Sequence, residues 1–148
     1  MSVLVLFVGT LFVGIWLNMH YELPKRNDPA VVKETARAVT AVERYVAAAN
    51  GARSARCSAR LLKSDGGVAM VHAACALVPG PSALAGPFRV APDGSVKTAR
   101  DGSAFQNDVK SMFGDRLGDW YLNHANSFSY VIPPAAPDSG AKGPLTTN

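Results

Sequence analysis

Hydrophobic and polar positions divide the chain into an unbroken apolar run and a patterned remainder. Residues 1–19 contain no charged side chain and consist almost entirely of Val, Leu, Phe, Ile, Gly and Trp. As an α-helix these residues rise roughly 28 Å, close to the ~30 Å thickness of a bilayer core. The run therefore predicts a transmembrane anchor over residues 1–21.

A cleaved secretory signal peptide is the alternative interpretation of this run. Such a peptide has a basic start, a shorter apolar stretch and small residues at its cleavage site, whereas no Lys or Arg precedes the run here. Aromatic and basic side chains at the end of the run suit a membrane-water interface instead, which favours a retained anchor. The predicted interface residues are Trp16, His20, Tyr21, Lys25 and Arg26.

An amphipathic helix is predicted behind a short connector at residues 22–28. Pro24 disfavours helix in the connector, whereas Asp28 followed by Pro29 supplies an N-cap acceptor and a proline suited to the first turn. The apolar stripe then continues to Ala49, and Asn50-Gly51 can close the helix. Covering a core and binding a partner are both consistent with such a stripe, and the first is favoured.

Alternating apolar and polar residues predict a β-hairpin from segments 55–62 and 68–77. With a three-residue loop at 65–67, Cys57 lies directly opposite Cys75. The facing distance permits a disulfide, which we predict, although two buried reduced cysteines are the alternative. A disulfide favours an oxidising compartment. On this apolar face Ala59 pairs with Ala73, Leu61 with Val71 and Ala55 with Leu77. Next to the loop, Ser64 faces Val68. The opposite face carries Arg56, Ser58, Arg60 and His72.

The remaining patterns are a loop, a second hairpin, a second helix and a last strand. Pro and Gly residues predict a loop at 79–87, and the turn residues Pro92-Asp93-Gly94 join short strands at 88–90 and 95–98. Helical spacing predicts an amphipathic helix over 103–122, in which Gly114 and Gly118 either allow close packing or mark a break. Residues 127–132 predict a terminal strand.

These patterns together predict one α+β domain behind the anchor. Its antiparallel sheet consists of two hairpins plus a C-terminal strand, with two amphipathic helices on one face. The predicted boundaries are a transmembrane anchor at 1–21, a juxtamembrane connector at 22–28, the α+β domain at 29–132 and a disordered tail at 133–148.

The formal net charge of +4 adds a candidate docking surface. A solvated face is the simpler interpretation of its basic cluster, and electrostatic docking to an acidic partner or to phospholipid head groups is the functional one. Basic residues do not interleave with aromatics as in nucleic-acid readers, so no nucleic-acid partner is expected. The candidate docking residues are Arg53, Arg56, Arg60 and Lys63.

No catalytic or metal-binding motif is present, so we expect no enzyme, no cofactor and no metal site. The histidines have simpler interpretations: His20 at the membrane edge, His72 in a polar contact with Arg60 across the hairpin, and His124 in a cap or loop after the second helix.

The side of the membrane is contested within the sequence. Lys25 and Arg26 follow the span, so the positive-inside rule places the domain in the cytoplasm, whereas the Cys57–Cys75 pair favours an oxidising space. We give the cysteines more weight and expect a single-pass inner-membrane protein with its domain in the periplasm.

A hydrophobic N-terminal helix, an amphipathic helix and a disulfide-bearing antiparallel sheet together are similar in outline to bacterial pilins and to pilus or secretion accessory proteins. The prepilin cleavage glycine and downstream glutamate are missing, since Gly14 is followed by Ile15-Trp16-Leu17-Asn18-Met19. The layout implies a non-catalytic subunit of an envelope assembly that docks to membrane lipids and envelope proteins within a hetero-oligomeric complex. An accessory subunit of a larger membrane complex, such as an energy-transducing one, and a membrane-tethered enzyme or ligand binder stay open as alternatives.

Overall fold

The computed structural model describes residues 21–135, which form a four-stranded antiparallel sheet with helices on both faces. The strands are β1 (Ser54–Asp65), β2 (Val68–Val78), β3 (Ala83–Val90) and β4 (Val96–Thr98), in the order β1-β2-β3-β4. The helices are α1 (Pro29–Ala49), α2 (Phe105–Phe113) and α3 (Asp115–His124), with short 3-10 segments at Gly102–Ala104 and Ala125–Phe128. The α+β class with an antiparallel sheet is as predicted.

The predicted anchor lies almost wholly outside the described residues, as do residues 136–148 of the predicted tail. Between residues 21 and 135, no helix combines the length and the apolar character that crossing a membrane requires.

Helix α1 begins and ends where its capping residues predict. The Asp28 carboxylate accepts a hydrogen bond from Ala30 N at 2.9 Å, and Pro29 occupies the first turn. At the other end, the Asn50 side chain donates to the Val46 carbonyl at 2.8 Å, and Gly51 takes a φ of +59° that side chains disfavour. The stripe that α1 buries against the sheet includes Ala38, Val42 and Val46.

The register of the first hairpin is confirmed around its cysteines and differs near its turn. Cys57 pairs with Cys75, and the flanking pairs are those predicted. The turn, however, is the two residues Gly66 and Gly67, and a register shift falls between Leu61 and Lys63. A shorter turn and one extra strand residue offset each other, so Ser64 pairs with Ala69 and not with Val68.

Two apolar clusters lie on opposite faces of the sheet, which corrects the prediction of helices on one face. Alternation of side chains sends odd-numbered β2 residues such as Val71 to α1 and even-numbered ones such as Met70 to α2 and α3. The extra residue of the bulge, Leu62, joins the second cluster and is fully buried. The α1 face consists mainly of aliphatic residues with Phe88 and the Cys57–Cys75 pair, whereas the second cluster contains Phe113, Tyr121 and Phe128.

The second hairpin is confirmed, but β3 starts earlier than predicted. Its residues from Ala83 onward pair with β2, so the predicted loop at 79–87 is too long. Pro87 is tolerated inside β3 because its backbone groups face away from β2. Its carbonyl accepts a hydrogen bond from the Thr98 hydroxyl at 3.0 Å on that side. The missing N–H of a proline on that side removes no bond from the β2 ladder.

The second predicted helix is two helices, and both interpretations of its glycines hold. Gly114 ends α2 with φ +78° and ψ 160°, a conformation that breaks the helix. Gly118 of α3 packs so closely that an added Cβ would lie 2.9 Å from Lys110 Cα. The break therefore lets α3 fold back against α2.

The predicted strand at residues 127–132 is wrong. Residues Ala125–Phe128 form a 3-10 turn instead, and 131–135 have no regular structure. The ring of Phe128 is buried in the second cluster, where it stacks on His72 at a centroid distance of 4.9 Å. Burial of this one aromatic outweighs the alternating pattern that predicted a strand.

Candidate docking groove

A groove runs along the outer edge of β1, and we refer to it as the edge groove. One wall is α1, the other is the segment 130–132, and residues 58–61 of β1 form the floor. Its volume is about 680 Å³. Apolar side chains dominate the lining and include Val32, Val39, Ala59, Leu61, Val131 and Ile132.

Exposed apolar side chains of the domain concentrate in this groove. Across residues 21–135, the large hydrophobic residues that stay exposed are Val32 at 53%, Tyr130 at 47% and Ile132 at 67%. All three line the edge groove, although they come from opposite ends of the domain sequence. Clustering of exposed apolar residues is typical of interaction surfaces, whereas isolated ones carry no such meaning.

The floor of the groove is the free edge of a sheet. Since β1 is the first strand in the sheet order, no strand of the described domain pairs with its outer side. The Cys57 N–H points outward and donates to the Glu43 carboxylate at 2.9 Å. Alternation along an antiparallel strand then turns the N–H and C=O of Ala59 outward as well, and apart from the sheet ladder no backbone bond within residues 21–135 engages them.

Two arginines make the groove positively charged. Arg60 is 9% exposed and its Nη2 donates to the Pro24 carbonyl at 2.6 Å, while its buried Nε has no hydrogen-bond partner among the described residues. The Arg26 guanidinium lies 4.4 Å from the centre of the Tyr130 ring. None of the described residues that line the groove is acidic.

The predicted basic cluster is divided by the fold. Arg53 and Arg56 are exposed, and Lys63 lies 3.7 Å from the Asp65 carboxylate. Arg60 projects from the same side of β1 as Arg56 but is buried, so it does not belong to a solvated face. Docking through the four residues as one surface stays a prediction.

The predicted membrane-interface residues fall partly outside the described chain. Trp16 and His20 are beyond it, and Lys25 and Arg26 are exposed. Tyr21 packs on the domain, with its ring centroid 5.3 Å from that of Trp120 and its hydroxyl donating to the Leu62 carbonyl at 3.4 Å. This contact fixes where the chain enters the domain.

The predicted disulfide between Cys57 and Cys75 is confirmed. The two Cα atoms lie 4.0 Å apart and both residues are buried on the α1 face. Because the Cys57 N–H bonds to Glu43, the pair is one of the closely spaced, non-hydrogen-bonded kind. The bond thus fastens the edge strand, and with it the groove floor, to the centre of the sheet.

His72 lies in a buried aromatic cluster. Its register partner is Arg60, as predicted, but its hydrogen-bonding partner is Tyr121, with Nδ1 2.7 Å from the tyrosine hydroxyl. Burial lowers the pKa of His72 to about 4 and raises the pKa of Tyr121. A neutral imidazole held between rings stabilises the second cluster, and the described residues include no group of His, Cys, Asp or Glu side chains suited to a metal ion.

Sequence reasoning did not find the edge groove, because its walls are far apart in the chain. One local signal was present: Val32 lies among the exposed residues of α1 and outside the stripe that α1 buries. The other wall required the C-terminal segment to be placed beside β1, which the predicted strand did not do.

No protein-family model matches the chain, and no curated protein and no solved structure matches it either. We therefore infer function from the geometry of the groove, from the disulfide and from the apolar N-terminal run.

Proposed function

We propose that this protein is a non-catalytic, membrane-anchored subunit of a bacterial envelope assembly of the pilus or secretion apparatus type. Residues 1–21 hold it in the inner membrane as a single span, and the domain presents the edge groove to another envelope protein. The observation that carries the proposal is the gathering of Val32, Tyr130 and Ile132 in one groove. A contiguous patch of exposed apolar side chains is typical of a docking surface.

The disulfide supports a periplasmic domain. Cys57 and Cys75 are bonded, and bonds of this kind persist in oxidising compartments and are rare in the cytosol. Lys25 and Arg26 oppose this placement through the positive-inside rule. In the proposed arrangement Lys25 lies at the outer surface of the inner membrane and contacts lipid head groups, while Arg26 lines the edge groove.

Co-purification in mild detergent tests the docking function. Full-length protein is captured from its native membranes alongside V32D, which places a charge in the groove, and K33D, which alters the next exposed position of α1 outside the groove. We expect stoichiometric pilus or secretion components with wild type and K33D, and their loss with V32D, because the substitution replaces an apolar contact by a charge that must lose its water when the partner docks.

Other outcomes of the same experiment would replace the proposal. Stoichiometric capture of a redox or ATPase complex would identify an accessory subunit of an energy-transducing assembly. Recovery of a lone monomer carrying a small molecule would identify a ligand-binding protein or an enzyme.

Thiol chemistry tests the side of the membrane. Since Cys57 and Cys75 are buried, cells are quenched in acid and denatured before a mass-tagged maleimide is added. We expect no tagging without reductant and two tags after reduction. A second probe, S127C at an exposed position, is expected to react with a membrane-impermeant maleimide once the outer membrane is opened. Tagging of Cys57 and Cys75 without reductant, together with S127C labelling only after lysis, would overturn the periplasmic placement.

A further inference from the structure

The free edge of β1, the apolar groove walls and the buried arginine define one kind of occupant. We propose that the edge groove binds an extended peptide segment with alternating apolar and acidic residues, which adds to β1 as a fifth strand. This inference rests on the proposed docking function and specifies its chemistry.

Backbone groups at the groove floor suit strand addition. The N–H and C=O of Ala59 point away from β2 and carry no other backbone bond within residues 21–135. A partner strand supplies the complementary pair, as in other cases where a peptide extends a sheet edge. Four floor residues, 58–61, span about 13 Å, so a segment of four to six residues fills the groove.

The two walls set the side-chain pattern of the occupant. Ala59 lies on the α1 side of the sheet, and Arg60 lies on the opposite side. Peptide residues beside Ala59 therefore meet Val32 and Val39, whereas those beside Arg60 meet the guanidinium groups. Apolar residues fit the first positions and carboxylates the second.

Arg60 is the element that demands an acidic partner. Its Nε is buried without a hydrogen bond among the described residues, and no carboxylate belongs to the described lining of the groove. A buried guanidinium with an open donor is costly to leave unpaired. A carboxylate of the partner at the groove surface neutralises this charge.

Charge complementarity also argues against a second copy of this chain in the groove. Edge-to-edge pairing of two β1 strands would bring together two copies of Arg60 and two of Arg26 without an acidic lining residue to separate them. Like charges at close range disfavour that arrangement. The occupant is therefore not the β1 strand of a second copy, and we assign the acidic segment to a different protein.

Fluorescence anisotropy with a defined probe tests the proposal. Full-length protein in mild detergent micelles is titrated against a labelled ten-residue peptide that alternates valine and glutamate. We expect saturable binding, at least tenfold weaker binding when lysine replaces glutamate, and at least tenfold weaker binding when the edge-facing amides are N-methylated. Empty micelles correct for partitioning of the probe.

Variants of the protein locate the site. A59P removes the outward N–H without touching the β2 ladder, R60M removes the buried charge, and R53M is the matched control because Arg53 is exposed outside the groove. We expect at least tenfold weaker binding for A59P and R60M and unchanged binding for R53M. Because R60M also loses the bond to Pro24, the N-methylated peptide on wild-type protein keeps the test valid where that variant misfolds.

Several results would overturn strand addition by an acidic segment. These are equal affinity for the valine-lysine peptide, equal affinity for the N-methylated peptide, an edge-mediated dimer that excludes the probe, and anionic lipid that displaces it at stoichiometric amounts. Absence of binding would also overturn it. Partner capture that still depends on Val32 would then show that the docking function stands and that its mode is different.

Discussion

The two faces of the sheet bury comparable clusters in different ways. On the α1 face, residues such as Val42, Val71 and Val90 are small and aliphatic, and the Cys57–Cys75 bond joins two strands covalently. On the opposite face, Tyr121 and Phe128 surround a neutral histidine, and an arginine is buried beside them. The first face is a conventional core, whereas the second buries polar side chains, of which His72 is paired with Tyr121 and Arg60 keeps one donor without a partner among the described residues. Alternation along a strand therefore predicts on which face of the sheet a polar residue lies. It does not predict that this face is exposed to solvent.

Adjacent leucines offer the largest test of this comparison. Leu61 is 1% exposed in the first cluster and Leu62 is 0% exposed in the second. We expect L61A and L62A each to lower the free energy of unfolding by about 2–5 kcal/mol, because both leave a cavity. Denaturant titration followed by circular dichroism measures it, and V32A at an exposed site serves as the control. If L62A behaved like V32A, the second face would not be a core.

Removal of the disulfide tests the first face alone. The bond closes a loop of 18 residues in sequence separation, so its loss is expected to lower the free energy of unfolding by about 3 kcal/mol through the entropy of the unfolded chain. The paired variant C57A/C75A is compared with oxidised wild type by the same titration. A reductant is expected to destabilise wild type and to leave the paired variant unchanged. Equal stability of the two proteins would contradict a role for the bond in holding β1.

His72 in the second cluster is expected to make the protein less stable in acid. The pKa of His72 is lowered to about 4 by burial, below the ~6.5 of an unfolded histidine. Between these two pH values the unfolded chain binds more protons than the folded protein. The contribution of neutral His72 to the free energy of unfolding is therefore fully present above pH ~6.5 and is lost as the pH falls toward 4. This loss is no more than about 3 kcal/mol.

The variant H72F isolates this effect. Glu34 and Asp108 also have lowered pKa values, through hydrogen bonds to Arg37 and Arg100, and they act mainly at more acidic pH. Urea titrations from pH 7 to 4 give the free energy of unfolding of wild type and of H72F. Their difference cancels the contribution of Glu34 and Asp108, which both proteins contain. Parallel curves for the two proteins across this range would contradict a buried neutral His72.

Close packing of α2 and α3 gives the smallest expected effect. An added Cβ at Gly118 would lie 2.9 Å from Lys110 Cα, whereas one at Gly86 would meet nothing within 4 Å. We expect G118A to cost about 1–3 kcal/mol, because the two helices must separate, and G86A to change stability little. Thermal unfolding of both variants measures the contrast, and equal midpoints would remove the packing argument.

Elements set by local patterns could be predicted from the sequence. Asp28-Pro29 and Asn50-Gly51 mark the ends of α1, and the alternation around Cys57 and Cys75 excludes a slip by one residue, which would send the thiols to opposite faces. The disulfide followed from that register.

Features set by tertiary packing could not be predicted. Nothing in the pattern distinguished a three-residue loop from the observed two-residue turn with a bulge at Leu62, because both give the same pairing near the cysteines. Burial of Phe128 replaced a strand that alternation favoured. The edge groove needs α1 and segment 130–132 on either side of β1, a juxtaposition that no local signal encodes.

Site-specific photo-crosslinking in intact cells tests most directly whether the edge groove is the docking surface. A photoreactive phenylalanine replaces Ile132, which is 67% exposed in the groove, or Gln106, which is exposed on α2 outside it. We expect a discrete adduct with one pilus or secretion component from position 132 and none from position 106. The same adducts from both positions, or none from position 132 while the protein stays folded and in the membrane, would contradict docking through the groove.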